Sequence, residues 1–122
     1  MSNVHYYECD ITSPDSVNTI ASRLKSELGT TTILLNNAGI GKTFTILDVP
    51  DDYLEKIFRI NLISHWYTVR AFLPDMIAAK KGHVIATASM ASFINAAGMV
   101  DYCVTKAGVM SFHEGTSDFD GT

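Results

Sequence analysis

The chain has 122 residues, 9 basic and 13 acidic side chains, a formal charge of −4, and 47% apolar residues. That is enough apolar mass for one domain with a core, and too little charge for a disordered chain. The acidic balance speaks against a nucleic-acid partner, and no apolar run reaches the ~18 residues of a membrane span.

In chain order, Val4–Cys9 reads as a short β-prone run. Ser13-Pro14 reads as a helix start, a hydroxyl cap followed by a proline at the first helical position. The spacing predicts a helix from about Pro14 to Leu28, with Val17, Ile20, Ala21, Leu24 and Leu28 on one face and Gly29 ending it. Thr32–Leu35 is an apolar run too short for a helix and suited to a strand buried on both faces. Asp51 to about Lys81 reads as one long helix whose stripe includes Ile57, Leu62, Ile63, Trp66 and Val69, with a kink at Pro74. His83–Thr87 is a further buried strand, and a last helix is expected near Asp101–Glu114. Residues 1–115 are therefore expected to form one domain, and residues 116–122, without a core pattern, a frayed tail.

The order β-α-β-α-β-α predicts an α/β fold around a parallel sheet. Ligands in such sheets bind beyond the carboxyl ends of the strands. Asp10-Ile11, Asn36–Gly41 and Thr87–Ser92 all fall on that edge.

Several residues there could carry chemistry. Tyr102 and Lys106 stand four apart on the last helix and so share a face. A phenol ordinarily ionises near pH ~10, and a neighbouring cation favours phenolate, which makes tyrosine a usable acid/base. A surface Tyr–Lys pair is the plain alternative. Ser89, just past a strand, could donate to a carbonyl oxygen, or could be an ordinary loop serine. Asn36-Asn37-Ala38-Gly39 would let a flat ligand approach the backbone, or simply terminate a strand. Asn61 is a polar amide among Ile57, Phe58, Ile60, Leu62 and Ile63, and it must either bond backbone or join a water network. Cys9 and Cys103 are expected as free thiols of a reducing compartment. The four histidines His5, His65, His83 and His113 show no metal-binding spacing.

These motifs resemble those of the short-chain dehydrogenase/reductases. Asn36-Asn37-Ala38-Gly39 is similar to that family's motif after its fourth strand. Asn61, Ser89, Tyr102 and Lys106 match its Asn–Ser–Tyr–Lys tetrad in order and spacing. Asp10-Ile11 resembles its adenine-contacting pair after the third strand. Phe72-Leu73-Pro74-Asp75-Met76, Gly82-His83-Val84 and Asp101-Tyr102-Cys103 resemble the retinol/17β-hydroxysteroid dehydrogenase branch.

The resemblance implies a partial Rossmann-like doubly wound sheet and hydride transfer between NAD or NADP and an alcohol/carbonyl pair. It makes Tyr102 the proton donor or acceptor, Ser89 the residue that orients the substrate oxygen, and Lys106 a ligand of the nicotinamide ribose. Asn61 would hold a water, while Asp10, Ile11, Asn37, Ala38 and Gly39 would lie along the adenosine side. A homo-oligomer through the helices carrying Asn61 and Tyr102 is also implied. The substrate would be a small alcohol or ketone; Met90, Phe93, Ile94, Met99 and Val100 either mark it as lipid-like or pack against a C-terminal part beyond these residues. The setting is expected to be intracellular, cytoplasmic or, in a full-length form, membrane- or lipid-associated.

The glycines stand at 29, 39, 41, 82, 98, 108, 115 and 121 and give no phosphate-binding glycine loop. The chain is accordingly expected to be a fragment beginning at the family's third strand, leaving Val4–Cys9 without its strand partner and apolar sheet edges exposed. Two readings compete with an enzyme: a catalytically silent remnant that dimerises, and an unrelated nucleotide-binding module in which the Tyr–Lys spacing is accidental.

Overall fold

A computed structural model describes residues 3–117. Helix α1 spans Pro14–Leu28, strand β1 Ile33–Asn36, helix α2 Asp51–Phe58, helix α3 Ser64–Ala78, strand β2 His83–Ala86 and helix α4 Val100–Ser117. A π-helical turn, Arg59–Ile63, joins α2 to α3, and a 3₁₀ turn, Met90–Ser92, follows β2. Thr116 and Ser117, expected to open a frayed tail, belong to α4. The rest of that tail lies outside the described residues.

Helix α1 starts where the sequence places it. The Ser13 side chain accepts from the Ser16 N–H at 3.2 Å, and Pro14 takes the first helical position. Val17 is buried on the expected face, whereas Leu28, the last residue of the stripe, is 51% exposed.

The two faces of the sheet differ. Strands β1 and β2 pair in parallel, Ile33 opposite His83 and Asn36 opposite Ala86. Helix α3 packs on β1, α4 on β2, and α1 beside α3, so the inward residues Leu34, Asn36, Val84 and Ala86 are partly covered. The other face carries Ile33, Leu35 and Ile85, exposed by 63, 56 and 38%. Thr32–Leu35 is thus covered on one face, not two.

Residues 4–9 do not form the expected strand. A strand needs a neighbour to take its backbone groups, and the described sheet consists of β1 and β2 only. Tyr7 is tied to α1 instead, its hydroxyl donating to Glu27 Oε2 at 2.6 Å.

The long helix also departs from its sequence pattern. The π turn inserts one residue into the 3.6-residue repeat, so side chains after it rotate by about a quarter turn. As a result Ile63 and Trp66, expected on the buried stripe, are 37 and 39% exposed, while Ser64 and His65 are buried. Pro74 lies inside α3, and the departure from α geometry falls at Arg59–Ile63.

Buried apolar residues Ile57, Val69, Met76, Cys103 and Val109 form the core between the long helix and α4. Helix α4 comes close to the π turn at Gly108, where a Cβ would stand 2.9 Å from Leu62 Cδ2. Trp66 and Phe112 extend the contact, with ring centroids 4.3 Å apart. This close approach brings Asn61 and Lys106 into one buried layer.

Candidate active site

Beyond the carboxyl ends of β1 and β2 lies an open cavity of about 610 Å³. Ser89, Tyr102 and Lys106 all line it, together with Asn37, Gly39 and Gly41. The segments 37–43, 87–91 and 99–106 therefore meet where a parallel sheet offers its ligand edge.

Each group is fixed by its own element. Ser89 leaves β2 in extended conformation and caps the 3₁₀ turn, its Oγ accepting from the Ala91 N–H at 3.1 Å. Its own O–H makes no bond among the described residues and remains available as a donor. Tyr102 stands in the first turn of α4, its ring against Gly41, where a Cβ would lie 3.1 Å from Cδ2. A Cβ there would require the ring to give by a few tenths of an ångström. Lys106, one turn later, is 4% exposed. Its Nζ donates to the Thr87 carbonyl at 3.1 Å and stands 5.7 Å from the Tyr102 ring centroid. Burial lowers its pKa from the usual lysine value.

Asn61 is fully buried and holds the Ile40 backbone at both ends. Oδ1 accepts from Ile40 N at 2.8 Å, and Nδ2 donates to Ile40 O at 2.9 Å and to Thr105 Oγ1 at 3.2 Å. Of the two expectations for this amide, backbone bonding is what the structure contains. Both its hydrogens are used, and one Oδ1 lone pair is left. Gly39 lies beneath it, so a Cβ there would stand 3.4 Å from Asn61 Oδ1 and 3.5 Å from Lys106 Nζ.

The expected adenosine side is less unified. Ile11, Asn37 and Ala38 share a small cavity of about 120 Å³ with His65 and Thr68. Asn37 lines both cavities and connects them. Asp10 lines neither. Its Oδ1 accepts from the Thr12 hydroxyl at 2.7 Å and the Thr12 N–H at 2.9 Å, which hold its carboxyl below the usual range.

Two residues that the motifs did not single out join the others. Thr87 supplies the carbonyl for Lys106, and its hydroxyl donates to Asn37 Oδ1 at 2.8 Å. Thr105, fully buried, accepts from Asn61 and donates to the Tyr102 carbonyl at 2.7 Å. Position was the available signal for both: Thr87 ends a strand run, and Thr105 lies between the members of the Tyr–Lys pair. Among the described residues, no group of three His, Cys, Asp or Glu could hold a metal ion.

A sequence model of the family described as short chain dehydrogenase matches residues 1–118. The chain belongs to the short-chain dehydrogenase family. Within it, the chain is 39% identical over 114 residues to retinol dehydrogenase 10 of Xenopus tropicalis, covering 93% of this chain and 33% of that protein. It is 41% identical over 113 residues to epidermal retinol dehydrogenase 2 of Mus musculus, covering 93% of this chain and 37% of that one. The resemblance to the retinol dehydrogenase branch is thus borne out, and the chain spans about a third of the length of these relatives.

Solved structures of the family superpose on the α/β fold. A metagenomic short-chain oxidoreductase in complex with NADP matches with a TM-score of 0.88 and 27% identity, over 93% of this chain and 51% of that one. A short-chain type dehydrogenase/reductase from Mycobacterium marinum matches with 0.83 and 30%, over 89 and 44%.

Proposed function

We propose that this chain is the catalytic segment of an NAD(P)-dependent oxidoreductase that interconverts an alcohol and a carbonyl, with Tyr102 as acid/base. The observation that carries this reading is the single cavity shared by Ser89, Tyr102 and Lys106, walled by the backbone of Gly39 and Gly41.

The fit to a dinucleotide rests on Lys106. A buried ammonium has three donors, and only one finds a protein acceptor among the described residues, the Thr87 carbonyl. Neighbouring ribose hydroxyls would satisfy the other two. Lys106 and Tyr102 would hold the nicotinamide ribose, with Asn37, Ala38, Gly39 and Ile11 toward the adenosine. The nicotinamide supplies or accepts the hydride when bound.

The chain's own residues manage the proton and the oxygen. Ser89 donates its free O–H to the substrate oxygen and fixes its direction. Tyr102 gives a proton to that oxygen in reduction and takes it in oxidation. Lys106, a cation on the same helix face, favours the phenolate form that oxidation requires. Asn61 keeps the Ile40 turn, and with it Gly39, against Lys106. Its remaining lone pair is where a water leading from the lysine would bind.

A lipophilic substrate suits the rim. Met99 lines the cavity, and Met90, Phe93 and Ile94 beside Ser89 are exposed by 79, 73 and 69%. The relatives named as retinol dehydrogenases point the same way. Homo-oligomerisation would use α2–α3 and α4, on which Trp66 and Val104 are 39 and 44% exposed. Among the described residues no helix is long and apolar enough to cross a membrane.

One observation favours a second reading, a silent module that associates without turnover. None of the glycines forms the turn that binds a pyrophosphate at a helix N-terminus. Turnover separates the two. All-trans-retinol with NAD or NADP is expected to be oxidised, and Tyr102→Phe to lose at least about a thousandfold in kcat while binding cofactor as before. A Tyr102→Phe variant as active as the parent would remove Tyr102 from its role. Absence of turnover in the parent would leave the silent module.

A further inference from the structure

Ser92 belongs to none of the motifs, yet it joins two of the proposed catalytic residues. It ends the 3₁₀ turn that Ser89 begins. Its Oγ accepts from the Ser89 N–H at 3.4 Å and donates to the Lys106 carbonyl at 2.9 Å. A carbonyl inside a helix accepts from the N–H four residues on and keeps a second lone pair. Ser92 takes that second position, so its bond costs α4 nothing. Lys106 is then held at both ends by the segment that follows β2, through its carbonyl by Ser92 and through Nζ by Thr87.

We propose that Ser92 is a positioning residue, one whose hydroxyl fixes the Ser89 loop on α4 and so sets the spacing between the Ser89 hydroxyl and the Tyr102–Lys106 pair. This rests on the oxidoreductase reading above. Three physical points support it. Acid/base and orienting groups lose effect when displaced by about 1 Å, so the element carrying Ser89 needs a rigid tether. The large apolar side chains of this loop supply little of one, since Met90, Phe93 and Ile94 are exposed by 79, 73 and 69%. Beside Ser92, the bonds from this segment to α4 are a long thiol contact, Cys103 Sγ to Ile94 O at 3.7 Å, and the Lys106 Nζ bond to Thr87 at the strand end.

The test compares the full chain with Ser92→Ala, which removes the hydroxyl, and Ser92→Thr, which keeps it. With all-trans-retinol and the preferred cofactor, Ser92→Ala is expected to lose about tenfold in kcat, with the KM for cofactor within about twofold of the parent. Ser92→Thr is expected to recover most of that loss, which general damage to the fold would not allow. Unchanged kcat in Ser92→Ala, or a loss that Ser92→Thr does not recover, would overturn the proposal. Amide hydrogen exchange reads the tether without turnover: the Ser89 amide is expected to exchange about tenfold faster in Ser92→Ala and at the parent rate in Ser92→Thr. Equal Ser89 exchange in parent and Ser92→Ala would overturn the tether even in an inactive chain. Lack of turnover in the parent, with exchange as expected, would defeat the oxidoreductase reading and leave the tether standing.

Discussion

At the scale of single residues, the buried polar side chains decide what the centre of the molecule can do. Asn61 and Thr105 share a layer with Lys106 and satisfy one another and nearby backbone, as a low-dielectric interior requires, while Lys106 Nζ meets one protein acceptor, the Thr87 carbonyl. Asp101 Oδ2 is buried without a partner among the described residues, and so is Nδ1 of the His65 ring. Burial first, then the charge of Lys106 and that of His113, push its pKa from 6.5 down to about 4. The fold therefore holds the ring neutral, whereas the unfolded chain takes up a proton below pH 6.5. Its contribution to stability is complete above that value and is lost as the pH falls toward about 4. Between pH ~7.5 and ~5 the loss should be about 2 kcal/mol. Urea unfolding of the parent and of His65→Gln at the two pH values checks this. The glutamine variant should lack that part of the acid slope, and an identical slope in both proteins would show that His65 does not cause it.

At the scale of elements, what was legible in the sequence is what depends on local chemistry. Ser13 and Pro14 start α1 because a hydroxyl cap and a proline act on their own turn. The ordered motifs also predicted the shared cavity, since both strand ends and the first turn of α4 meet on one sheet edge. The π turn was not legible. It depends on Asn61 reaching Ile40 and Thr105, contacts across 21 and 44 residues, and no local period encodes them. For the same reason the apolar spacing points to Ile63 and Trp66 as the buried stripe, where the structure buries Ser64 and His65. The tether at Ser92 was hidden too, because a serine in a small-residue loop carries no local signal.

Gly82 shows how tightly elements can meet. It leads into β2 directly over α3, and a Cβ there would stand 2.5 Å from Met76 Cβ and 2.7 Å from its Cγ. Met76 is 3% exposed and its Cβ is anchored to the helix, so it cannot withdraw without moving α3. Gly82→Ala should therefore destabilise the chain by about 1–3 kcal/mol, the usual cost of overpacking. Exposed Lys81→Ala next to it should stay within about 0.5 kcal/mol of the parent. Equilibrium denaturation of both variants is the check, and a Gly82→Ala variant as stable as the parent would mean that α3 and β2 are not in this contact.

For the whole molecule, the uneven sheet is the dominant feature. One face carries α3 and α4, with α1 beside α3, while Ile33, Leu35 and Ile85 on the other meet solvent. A two-stranded sheet also leaves an unpaired edge on each strand, and apolar strands with open edges associate with one another. The isolated chain should self-associate in a concentration-dependent way. Replacing Ile33 and Leu35 together by threonine, which keeps strand propensity, should reduce this while leaving the helical circular dichroism unchanged. Sedimentation velocity measures the outcome, and undiminished association in the double variant would place the sticky surface elsewhere.

The same whole-molecule view makes dinucleotide binding the central question, because these 122 residues hold the groups around Lys106 and no glycine turn. Titration of the 122-residue chain with NADH and NADPH, followed by nicotinamide fluorescence, tests it most directly. Saturable binding of at least one of the two is predicted, weakened at least about tenfold by Lys106→Met, which keeps the aliphatic length and removes the donors. Binding of neither cofactor, or equal binding by parent and Lys106→Met, would contradict it.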